Sequence, residues 1–107
     1  MILRGAGGSG DCIKHTKCQR NLESRLEQKP HLAIAANVEY LVRGLHGEVD
    51  VAVLKDKNYV HFYECKSRDS SVAFNRAVKQ FHRYVEAHPH QRVKGVYVTP
   101  TKVRRLK

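Results

Sequence analysis

The chain has no apolar stretch long enough to cross a bilayer and no cationic amphipathic helix with a bulky aliphatic face, so a membrane partner is not expected. No cationic-then-apolar segment opens the sequence, so nothing points to secretion and a cytoplasmic location is expected. Cysteine is scarce: Cys12, Cys18 and Cys65 form an odd set without CxxC spacing, which excludes an ordinary zinc site and reads as reduced thiols. The seven histidines also lack ligand spacing, apart from His88 and His90 around Pro89. Only three prolines occur, and Pro30, Pro89 and Pro100 each stop a periodic segment. Acids are few. Ten Asp and Glu stand against twenty Lys and Arg, a net charge of +10, and such a field on a small domain favours a polyanionic partner.

At 107 residues there is room for one domain and one core. Residues 1–11 read as a flexible Gly-rich lead-in around Gly5 to Gly10, and 12–107 as the folded domain. The lead-in is no phosphate-cradling loop, because Asp11-Cys12 follows where a lysine and a hydroxyl would be needed. Cys18, Leu22 and Leu26 recur at i, i+4, i+8 and predict a helix from about Lys14 to Lys29, with Glu23 and Glu27 beside that stripe. A strand is predicted over 37–43, although Ala33 to Ala36 would also allow a short helix. Gly44 to Gly47 turn the chain, and strands follow at about 48–54 and 59–67, joined by the polar turn 55–58. Ser70 or Ser71 caps a helix running to about His88, Val93 to Thr99 form a last strand, and a basic tail ends the chain. The order α-β-β-β-α-β predicts an α/β fold with a mixed α+β sheet, in which the second helix returns the last strand beside a three-stranded meander.

The strands at 48–54 and 59–67 carry charge where strands of this kind are otherwise apolar. Asp50 interrupts Val49-Val51-Ala52-Val53, and Glu64-Cys65-Lys66 ends Val60-His61-Phe62-Tyr63. Side chains alternate along a strand, so Glu64 and Lys66 share a face with Val60 and Phe62. Two carboxylates and an ammonium meeting at one point suit metal-assisted phosphodiester cleavage: hard oxygens for Mg²⁺, and a cation beside them to handle water and offset phosphate charge. Glu48 lies on the Asp50 face, either in the site or at its rim. On the following helix Phe74, Ala77, Val78, Phe81 and Val85 form an apolar stripe, while Arg76, Lys79 and Arg83 form a basic one able to run along phosphates.

Asp50, Glu64 and Lys66 in this order of elements resemble the PD-(D/E)XK nuclease superfamily, over nearly all the chain after the lead-in. The resemblance implies a restriction-endonuclease-like αβββαβ core. It also implies that Asp50 and Glu64 bind Mg²⁺ or Mn²⁺, with the Cys65 backbone carbonyl as third ligand, and that Lys66 serves the attacking water. Val49 stands where the family's proline is usual. A further acid on the first helix is common in the family, and Glu23, ahead of Glu27, is assigned to it. Gln80 to Tyr84 is similar to the Gln-x-x-x-Tyr motif of RecB-type members and places both side chains on one helical face, Gln80 toward the site and Tyr84 toward nucleic acid. Three cysteines are too few for the iron–sulfur cluster of some RecB-like relatives.

The expected function is therefore a divalent-metal-dependent nuclease hydrolysing DNA, with RNA left open as substrate. A Holliday-junction-like resolvase acting as a homodimer is the alternative among enzymes. A noncatalytic basic nucleic-acid-binding module is the alternative of another class.

Overall fold

The computed structural model describes residues 1–5 and 13–107. Cys12 and lead-in residues 6–11 lie outside the described residues. The elements are β1 (Ile2–Arg4), α1 (Ile13–Glu27), β2 (Ala33–Val42), β3 (Leu45–Asp56), β4 (Tyr59–Cys65), α2 (Ser71–Ala87), β5 (Arg92–Val98) and β6 (Val103–Leu106). They build a small α+β domain around one mixed sheet in the order β1-β2-β3-β4-β5-β6, with β1/β2 and β4/β5 parallel and the other pairs antiparallel.

The expected meander is β2-β3-β4, and β5 returns beside β4 through α2. Four stretches differ from the sequence expectation. The stretch 33–36 is strand rather than helix, because Ile34 and Ala36 are buried against β3. The turn after β2 is only Arg43-Gly44, both at positive φ, which is the two-residue hairpin geometry matching strand twist. The basic tail forms edge strand β6, held by Leu106 in the core, and Ile2–Arg4 of the lead-in pair with β2 at the other edge.

The two helices pack on opposite faces. On β4, Cys65 and Tyr63 belong to the α1 layer with Cys18, Leu22 and Leu26, while Phe62 and Val60 alternate into the α2 layer with Ala77, Phe81 and Tyr84. Ser70 caps α2 by accepting the Ala73 N–H at 3.0 Å.

Midway along β2 and β3 this alternation breaks. Ile34 faces α1, yet Val38 and Tyr40, separated from it by even steps, face α2; likewise Val51 faces α1 and Val49 faces α2. At the break Asn37 adopts φ 55°, a left-handed conformation that asparagine tolerates better than most residues. The ladder runs Ala36↔Val51 and Val38↔Val49, skipping the level of Asn37 and Asp50. The ribbon thus passes from one layer to the other at Asp50.

Candidate active site

Continuing the register from Val51↔Tyr63 brings Asp50 opposite Glu64, but the backbone ladder stops one residue short. The Asp50 side chain replaces it: Oδ2 accepts the Cys65 N–H at 2.8 Å. On the far side of β4 the Lys66 N–H donates to the Val98 carbonyl at 2.9 Å, so the end of β4 is held from both neighbours. Asp50 and Glu64 are 7% and 4% exposed, and both open onto a cleft of about 390 Å³ between the sheet and α2.

Glu64 is buried beside a second carboxylate. Burial and then the neighbouring Asp50 push its carboxyl well above the ordinary range, against a smaller opposing pull from Lys66. The Lys66 ammonium stands 4.0 Å from Glu64 Oε2, and Oε1 is buried with no hydrogen-bond partner. Gln80 also borders the cleft, and its Oε1 is likewise buried and unpartnered. The Tyr40 hydroxyl donates to the Gln80 carbonyl at 3.1 Å and ties α2 to β2; burial, then Glu64, push that phenol up to about 12. Tyr40 crosses directly over Gly47, where any Cβ would overlap its ring.

Of the residues singled out by sequence, Glu48, Asp50, Glu64, Lys66 and Gln80 line one cleft, with Arg76, Lys79 and Arg83 on its α2 wall. Arg83 also donates to the His46 carbonyl at 3.0 Å. Two assignments need correction. Glu23 does not reach the cleft: it is 2% exposed and accepts from Arg4 and Arg20, each at 3.1 Å, and from Gln19 at 3.0 Å. Tyr84 is core. It packs on Phe62 at 5.3 Å, stacks on His88 at 4.0 Å, and donates its hydroxyl to Gln91 at 2.8 Å. Gln80 and Tyr84 are one turn apart, yet only the first lines the cleft, while the second is buried in the α2 core.

The α1 residue that does meet the carboxylates is His15, whose Nε2 lies 3.3 Å from Asp50 Oδ2. His15, Gln19 and Glu23 form one i, i+4, i+8 row, and Gln19 Nε2 donates to Asn37 Oδ1 at 2.9 Å and to the Asp50 carbonyl at 3.2 Å. Extending the Glu23 face back by two turns was the signal available for His15.

Behind the cleft, Cys18 and Cys65 are free, buried thiols. A hydrogen bond from Cys65, aided by the charges of His15 and Arg25, brings Cys18 down to about 7 against burial, and donating that proton pushes Cys65 up. Among the described residues no group of three His, Cys, Asp or Glu side chains is gathered as a ready metal centre. None of the described helices is long and apolar enough to cross a membrane.

No family model matches the chain, and no curated protein matches it either. A solved structure described as the crystal structure of SSO0001 superposes on 85% of this chain and 48% of that one, at 18% identity and a TM-score of 0.49. The chain therefore spans about half the length of that protein.

Proposed function

We propose that this domain is a divalent-metal-dependent nuclease that hydrolyses DNA phosphodiester bonds, with the restriction-endonuclease-like αβββαβ arrangement as its core. The observation that carries this reading is the meeting of Asp50, Glu64 and Lys66 in one cleft whose other wall is basic.

The donor set fits a hard cation. Two buried carboxylates face each other with the nearest ammonium only 4.0 Å away, and one Glu64 oxygen has no hydrogen-bond partner, so hard oxygen donors are left available for a cation. A residue's N–H and C=O point to the same side of a strand, so the Cys65 carbonyl lies on the Asp50 side with its N–H. Asp50, Glu64 and that carbonyl would hold Mg²⁺ or Mn²⁺, which when bound supplies positive charge at the scissile phosphate.

The chain's own groups account for the rest. Lys66 orients the attacking water and offsets charge that develops on the phosphate. His15 and the Cys65 N–H fix the Asp50 carboxylate, and Gln80 offers an amide to the water or the strand. Arg76, Lys79 and Arg83 neutralise flanking phosphates.

Relaxation of supercoiled plasmid tests this: wild type should nick it with Mg²⁺ and not with EDTA, and Asp50→Ala should be inactive. A noncatalytic binding module predicts shifted but uncut DNA. Preference for a four-way junction over duplex, with a dimer in solution, would favour the resolvase alternative.

A further inference from the structure

Across the sheet from this cleft lies a face that α1 covers only in part. Three alternate residues of β4, Tyr59, His61 and Tyr63, project there; Tyr63 packs beside the α1 cluster, and period-two alternation places the other two with it. Their rings form a continuous ladder, 5.0 Å between Tyr59 and His61 and 6.2 Å between His61 and Tyr63, and all three remain partly exposed. Cations flank them. Burial, and then the charges of Lys94, Lys55 and Arg105, hold the His61 pKa down. Lys94 and Arg105 also border the adjoining groove of about 370 Å³, which is floored by Tyr63 and Val96 and has no carboxylate among its lining residues. The Arg92 guanidinium lies 4.1 Å over the Tyr59 ring.

We infer that this face binds single-stranded nucleic acid, with bases stacked on Tyr59, His61 and Tyr63 and the phosphates following Lys94, Arg105 and Lys55. The rings are not coplanar, Tyr59 and His61 meeting at 83° and His61 and Tyr63 at 60°, but partly exposed aromatic rings beside cations fit unpaired bases, whereas a duplex keeps its bases stacked on one another and offers a groove or backbone. The absence of lining carboxylates with cations on both sides suits a polyanion, and disfavours a second copy of a chain that is itself +10. Tyr59 and His61 are half-buried and belong to neither core cluster, and the exposed Arg92 that covers the Tyr59 ring is a side chain that a base can displace. Such binding uses no residue of the Glu64 cleft and stands whether or not that cleft is catalytic.

Fluorescence anisotropy with labelled oligo(dT) and oligo(U) in EDTA, together with an oligonucleotide carrying one 2-aminopurine, tests the assignment. Wild type should bind single strands and quench the 2-aminopurine by stacking. Tyr59→Val/His61→Val, which keeps β-compatible residues, should lose the quench and bind single strands roughly tenfold more weakly per ring removed, with duplex affinity unchanged. Lys94→Ala/Arg105→Ala should keep the quench and lower the salt slope by about 0.7 for each phosphate no longer neutralised. This second variant and the wild-type quench decide the matter if the ring variant fails to fold. Equal single-strand affinity in wild type and ring variant, or no quench in wild type, overturns the inference. A wild-type dimer that the ring variant dissociates also overturns it, since the face would then be a contact between copies.

Discussion

Two glutamates of this domain are equally buried and oppositely treated. Glu23, at 2% exposure, is surrounded by donors from Arg4, Gln19 and Arg20. Glu64, at 4%, faces another carboxylate, meets the Lys66 ammonium only at 4.0 Å, and leaves one oxygen unpartnered. A buried carboxylate with its donors supplied closes a structure; one without them costs stability, and a sequence that tolerates the cost invites a functional explanation. The first joins α1 to β1. The second opens onto a basic cleft.

The largest contrast should appear in catalysis. Asp50→Ala and Glu64→Ala should each lower cleavage by about a thousandfold or more, equivalent to roughly 4 kcal/mol, and Lys66→Ala by about a hundredfold, as read by initial rates on plasmid. Duplex binding should survive in all three, because the phosphate contacts are assigned to Arg76, Lys79 and Arg83 of α2 and not to these residues.

Stability should move in opposite directions at the two acids. Glu23→Ala should cost about 1–2 kcal/mol; the figure is below that for a fully buried pair because Arg4 and Arg20 are 39% and 48% exposed and can return to water. Glu64→Gln should instead raise the melting temperature at neutral pH, each kcal/mol gained amounting to about 4–8 °C for a domain of this size. The sign follows from linkage. A carboxyl raised in the folded state contributes most below its ordinary value of 4.5, and that contribution is lost as pH rises through the folded value. The advantage of Glu64→Gln over wild type should therefore be near zero below pH 4.5 and grow as pH rises, as measured by paired thermal melts. A constant advantage across that range would mean that Glu64 is not raised.

How far these differences were legible from sequence varies by residue. Asp50 and Glu64 stand out because charge interrupts otherwise apolar strands, and the β3–β4 hairpin fixes them opposite each other. The basic stripe of α2 follows from helical spacing. Helical spacing gives a face but not a height: His15 and Glu23 share one row about 12 Å apart along α1, and only the crossing of α1 over the sheet decides which meets Asp50. The passage of β2–β3 between layers at Asn37 leaves no mark in the pattern, since Ile34, Ala36, Val38 and Tyr40 look like one continuous face. Strand β6 was hidden because Leu106 is its one buried residue among exposed Val103, Arg104 and Arg105.

Smaller effects sharpen the map of the cleft. Replacing Arg76, Lys79 and Arg83 together by Ala should lower the salt slope of duplex binding by about one unit for each cation that had neutralised a phosphate, with no change in fold; an unchanged slope would place the duplex elsewhere. Tyr84→Phe should leave cleavage rates unaltered, because it removes only the hydroxyl that donates to Gln91. A loss of cleavage there would return Tyr84 to the site.

The distinction between the two glutamates is tested most directly by calorimetric titration with Mn²⁺. Wild type and Glu23→Gln should each bind the ion at a shared, saturable site, and Glu64→Gln should not. Undiminished Mn²⁺ binding by Glu64→Gln would contradict the assignment of the Asp50–Glu64 cleft as the metal centre.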